Sequence, residues 1–122
     1  MHIQVTASCV GTSHSDPDTI NSPNYPSTYN PDEECTWKIQ GPSGRQIQIK
    51  FNDFQLGPSN DNLRVHDGHS QTSRLVETFK GTSVPKDVVS TANSLFVVFT
   101  SDSEQNYHGF EFQYFIHGNV NQ

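Results

Sequence analysis

At 122 residues, with 31% hydrophobic and 16% charged residues, the chain has the size of a single domain with one core, taken as residues 1–122. Seven Lys plus Arg against thirteen Asp plus Glu leave a formal charge of −6, and the basic residues stand singly, which argues against nucleic acid as a partner. No apolar run approaches the ~18 residues that a spanning helix needs, so direct membrane insertion is not expected.

The chain opens with MHIQVTASC, too short and too polar for a signal peptide; Met1 reads as a start added to an excised domain, and IQVTA as a first short strand. Cys9 and Cys35 are the two cysteines, and they lack the C-x-x-C spacing that would point to zinc or a redox pair. A disulfide and two thiols are both open on this count; joined, they would close a loop of about 27 residues and stabilise the fold by roughly 3.5 kcal/mol in the chain-entropy account.

Next comes INSPNYPSTYNPDEECTW, Ile20 to Trp37, rich in proline and tyrosine. Proline fixes its own φ and restricts the residue before it, so the stretch reads as a stiff strap that holds Tyr25 and Tyr29 at defined angles. It runs into CTWKIQ, a strand whose Trp37 and Ile39 face the core. After the turn GPSG, QIQIKFNDF alternates Ile47, Ile49 and Phe51 with Gln46, Gln48, Lys50 and Asn52, as a strand with one wet face should. LGPSND is a turn. NLRVH sends Leu63 and Val65 inward and Arg64 and His66 outward, and the DG turn puts His69 in a loop, so both imidazoles are expected at the surface rather than in a metal or acid–base site.

RLVETFK and DVVST are further short strands separated by the turn residues of KGTSVP. SLFVVFTS is apolar on both faces, which suits a central strand, and FEFQYFIH returns to alternation with Phe110, Phe112 and Tyr114 on one side. The in-facing set predicts a core of Trp37, Ile47, Ile49, Phe51, Leu63, Val65, Val97, Phe99, Phe110 and Phe112. No segment of ten or more residues keeps a helical stripe. The fold class is therefore all-β, and about 8–10 short strands in one domain mean a β-sandwich or jelly roll, with the strand order left open by periodicity. Serines occur in no G-x-S-x-G setting, and neither GTSVP nor GPSG opens a phosphate-binding helix, so no enzyme is expected.

The strap INSPNYPSTYNPDEECTWKI is followed in order by FNDFQL, DNLRVHDG, FKGTSVP, VVSTANSLFVVFTSD and GFEFQY, from about Cys9 to Tyr114. This succession closely resembles a CUB domain, with family coverage of about residues 9–117. The resemblance implies an extracellular, jelly-roll-like β-sandwich of two antiparallel sheets, secreted or in the ectodomain of a larger protein, with a Cys9–Cys35 bridge and no catalytic activity. Most members carry a second disulfide; here LGPSND holds no cysteine, and Lys80 stands before Gly81 where the fourth would fall.

Many members hold calcium among the loops at one end. They use a Glu after the FxxFxx strand, an Asp before the next strand, and an Asp in SD with an amide shortly after. Asp61 and Asp102 match the two aspartates and Gln105 the amide, with Glu104 as a candidate substitute, but Gly57 stands where the Glu would be. Calcium takes six to eight oxygens, so a site short of one carboxylate would be weak. Without the ion, Asp61 and Asp102 would cap turns on a solvated acidic rim.

Two binding readings follow. In one, the loops Tyr25–Pro31, Gly57–Asn62 and Asp102–His108 form one acidic end that acts with or without calcium, with Tyr29, Asp61, Asp102, Tyr107 and His108 meeting a protein partner through its basic side chain. In the other, the module binds a glycan or builds matrix, as CUB-like seminal-plasma lectins do, with Tyr107, His108 and Asn106 stacking on and bonding to a sugar.

Overall fold

In the computed structural model, described over residues 4–7, 9, 18–57, 60–102 and 107–117, the period-two patterns become β-strands. Among the described residues these are β1 Gln4–Ala7, β2 Thr19–Asn21, β3 Glu34–Gln40, β4 Gln46–Gln55, β5 Asn62–Asp67, β6 Arg74–Phe79, β7 Val88–Val89, β8 Ser94–Thr100 and β9 Gly109–His117. They form two antiparallel sheets, one ordered β1-β3-β8-β5-β6 and the other β2-β9-β4-β7. β8, apolar on both faces, does lie in the middle of its sheet, with Val97, Phe99 and also Val98 fully buried.

Every residue of the expected core is buried, and aromatic rings join the two sheets edge to face. Phe110 of β9 meets Phe99 of β8 at 5.2 Å and Trp37 of β3 at 5.7 Å between ring centroids. Such contacts add to area burial and fix the spacing of the layers. Cys9 and Cys35 are bonded, with Cα atoms 4.7 Å apart, which resolves the open alternative in favour of the disulfide.

Three features depart from plain alternation. β2 is a three-residue strand at the edge of the second sheet, paired with β9 at Ile20↔Phe112; the strap therefore begins inside the sheet. In β4 the register shifts between Phe51 and Asp53, so the buried side of the strand passes from Phe51 to Phe54 and Asp53 is left beside the ladder. A bulge does this by inserting one residue against the partner strand. The third is a correction: His66, expected at the surface, is 6% exposed, because the outer face of β5 is covered there by the Phe96 ring and by Ser73, whose carbonyl lies 3.0 Å from His66 Nδ1. His69 is exposed, as expected.

Phe99 sits where both sheets and the strap meet, so Phe99→Ala should cost about 3–5 kcal/mol in a denaturant titration, whereas the half-exposed Phe115→Ala should cost about 1 kcal/mol or less.

Candidate functional site

The strap after β2 folds back across one end of the sandwich. Its first half is a compact turn in which Tyr25 N–H donates to Ser22 O (3.2 Å) and Ser27 N–H to Asn24 O (2.7 Å), with Asn24 at φ 68° and a cis Tyr25–Pro26 bond. Ser22 is pinned to β9 by its N–H to Phe110 O (3.0 Å) and by accepting Phe110 N–H on its hydroxyl (3.1 Å). Gly109 has φ 91°, and a Cβ there would stand 1.9 Å from Ser22 Oγ, so only glycine allows this approach.

The second half delivers Tyr29 inward. Tyr29 N–H donates to Tyr107 O (3.2 Å), and the side chain is 0% exposed, its ring edge-on to Phe99 at 5.1 Å. This corrects the expectation that Tyr29 would meet a partner: its ring belongs to the core and presents no surface. Its hydroxyl donates to Asp61 Oδ2 and accepts Gly57 N–H at 2.8 Å. Burial, and then the bond to Asp61, raise the Tyr29 pKa well above the ordinary phenol value, so it remains a donor at any physiological pH.

Asp61 is 1% exposed, so it is an interior carboxylate rather than part of a solvated rim. A buried charge persists only when hydrogen-bonded. Here Oδ2 takes the Tyr29 hydroxyl and Oδ1 takes Asp102 N–H at 2.8 Å. The Asp102 carboxylate is half-buried at the mouth of the same end, with Asn60 N–H 3.3 Å from Oδ2, and Asp102 O accepts Asp32 N–H at 2.8 Å. Beside it Ser101 Oγ donates to Asn30 O (2.9 Å) and accepts Glu33 N–H (2.8 Å). The described parts of the three expected loops thus converge on one end. Tyr107 and His108 border it, half-buried; Glu104 and Gln105 lie outside the described residues.

The chemistry at residue 57 bears on calcium. A Cβ at Gly57 would stand 2.8 Å from Asp61 Oδ2 and 3.5 Å from the Tyr29 hydroxyl, so no carboxylate can project from this position while Asp61 keeps its bonds. Gly57 instead brings a backbone N–H into the place where the family pattern has an acid. Hydrogen-bond donors already engage both Asp61 oxygens, and a cation there would compete with them. The described donor set, two carboxylates, does not fit the six to eight oxygens of a firm calcium site.

A second polar set lies alongside. The Tyr25 hydroxyl donates to Asp53 Oδ2 at 2.7 Å, and His108 Nε2 lies 2.9 Å from the same oxygen, close enough for an ion pair though not aligned as a hydrogen bond. The Tyr25 and His108 rings meet edge-on at 5.8 Å. Partial burial alone would raise the Asp53 pKa, but Tyr25 and His108 outweigh it and hold the carboxyl below its usual value. Asp53 was not singled out from the sequence. Its signal was there in FNDF, where a gap of three between Phe51 and Phe54 breaks the period of two and marks a bulge.

A family profile described as CUB domain matches residues 9–114. Among curated proteins, the chain is 38% identical over 113 residues to Bone morphogenetic protein 1 of Xenopus laevis, covering 89% of this chain and 16% of that protein's length. Among solved structures, the full extracellular region of zebrafish Gpr126/Adgrg6 superposes with TM-score 0.72 at 34% identity, over 82% of this chain and 13% of that one. The MASP-1 CUB2 domain bound to Ca2+ superposes with TM-score 0.71 at 25% identity, over 80% of this chain and 89% of that one.

Removing the Tyr29 hydroxyl in Tyr29→Phe strips a donor from buried Asp61 and an acceptor from Gly57 N–H, and should cost on the order of 2–3 kcal/mol by thermal or denaturant unfolding at neutral pH. Asp53, with a folded pKa below its unfolded value, contributes stability that is present above the unfolded pKa of about 3.9 and is lost as pH falls through the folded value. Asp53→Asn should therefore be less stable than the parent at pH 6–7, with the gap closing as pH falls below the unfolded carboxyl range.

Proposed function

The chain belongs to the CUB domain family, and on that premise we propose that it is a protein-recognition module of a larger secreted or membrane-anchored protein, engaging a basic side chain of its partner at the Asp102 end. One observation carries this reading: Asp61 is locked inside by Tyr29 and by the Asp102 backbone, so of the two family aspartates it is Asp102, half-buried at the mouth, that a partner can reach. Because the Asp102 backbone is bound to Asp61 and its Oδ2 accepts Asn60 N–H, the carboxylate is held in place before any partner arrives, and less ordering entropy is lost on binding. A single lysine or arginine docking there gives a weak contact that neighbouring domains would raise through avidity.

In this reading recognition does not depend on calcium. Donors on Asp61 and the missing acid at Gly57 leave at most the weak extracellular range of ~10⁻⁴–10⁻³ M for the ion. The glycan alternative has less support, since Tyr107 packs partly against the core and His108 is turned toward Asp53.

Asp102→Lys should weaken binding to an immobilised lysine-bearing peptide at least about tenfold, and added salt should weaken the parent, as ion pairing requires. Chelation should leave the parent's binding unchanged. A neutral glycan bound equally well by parent and Asp102→Lys, with no response to salt, would favour the lectin reading instead.

A further inference from the structure

Among the described residues, the large apolar side chains left exposed are Leu75, Val84 and Val89, at 46%, 55% and 48%. Val84 lies in the connection between β6 and β7, and Leu75 and Val89 belong to those two strands. β6 ends the five-stranded sheet and β7 ends the four-stranded one. Phe79 of β6 packs on Phe51 and Phe54 of β4, the strand that β7 pairs with, so both edges lie on one side of the sandwich. Between them runs a cleft of ≈ 330 Å³ lined by Glu77, Phe79, Lys80, Val84, Pro85 and Lys86.

Charge and main chain supply the rest. In a chain of net charge −6, Lys80 and Lys86 flank this cleft, and neither has an ion-pair partner among the described residues; the ion pairs found are Arg74–Asp67 and His108–Asp53. β6 pairs with β5 on one side, and no described strand covers the other, so its outward N–H and C=O groups remain open to a further strand. We propose that this edge docks an extended peptide segment of a protein partner, with acidic residues opposite Lys80 and Lys86 and an apolar residue over Phe79 and Val84, added as a strand beside β6. Strand addition draws affinity from the main chain and specificity from alternate side-chain pockets. A sulfated glycan is the less suitable occupant, because it would use two isolated cations and leave the apolar floor and the open strand edge unmatched.

The test is an NMR titration of the whole chain with a capped hexapeptide of alternating valine and glutamate, followed by amide exchange of the complex. The expected result is shift changes confined to residues 74–89, outward-facing β6 amides that exchange several-fold more slowly, and at least a tenfold loss of affinity in Lys80→Glu/Lys86→Glu and in Val84→Asp. Asp102→Lys should bind the hexapeptide as the parent does, so failure here is separable from failure of the Asp102 reading. The proposal is overturned if the double variant binds unchanged, if protection falls outside residues 74–89, or if a heparin hexasaccharide perturbs these residues while the peptide does not.

Discussion

Burial of one carboxylate organises one loop end of this domain. Asp61 cannot remain charged in the interior without donors, and those that meet it come from two distant parts of the chain: the Tyr29 hydroxyl from the strap and the Asp102 N–H from the end of β8. Each donor brings its own segment along. Tyr29 carries the strap onto Phe99 and Tyr107, and Asp102 holds Asp32 through its carbonyl, so three loops are registered against one another by one buried charge.

Gly57 completes this arrangement by lacking a side chain. Its N–H reaches the Tyr29 hydroxyl at 2.8 Å, and the space that a Cβ would fill is occupied by the Asp61 carboxylate. The family pattern has an acid and a calcium site here, and any side chain at this position of the present chain would require the Asp61 carboxylate to shift. Where such a site gathers several carboxylates around a cation, this chain balances one carboxylate with neutral donors. That replacement links a single glycine to the donors that Asp61 keeps.

The strap's stiffness has a matching consequence. Its prolines leave little freedom between Ser22 and Asp32, so the placements of Tyr25 on Asp53 and of Tyr29 on Asp61 are coupled through the backbone. The two tyrosines look equivalent in NYPSTY, yet one is half-exposed beside a histidine and the other is fully buried. Stiffness thus serves the inside of the domain as much as its surface.

Strand existence, the facing of the core and the family were legible in the sequence, because alternation in QIQIKF and FEFQYF and the apolar double face of SLFVVF follow from local chemistry that any sandwich must obey. Asp61 and Asp102 were legible as neighbours only through the family resemblance. What tertiary structure alone decided was burial and partnership. β2 was too short to show a period, the bulge that frees Asp53 is a property of the β4–β9 pairing, and His66 is covered by a turn several residues away. Above all, a tyrosine in a proline-rich loop reads as exposed until a buried acid thirty-two residues on, and a glycine small enough to admit it, draw it inside. Periodicity reports which face of a strand is apolar. It carries nothing about which distant donor a buried charge will recruit, since that depends on how loops from separate strands meet at one end of the fold.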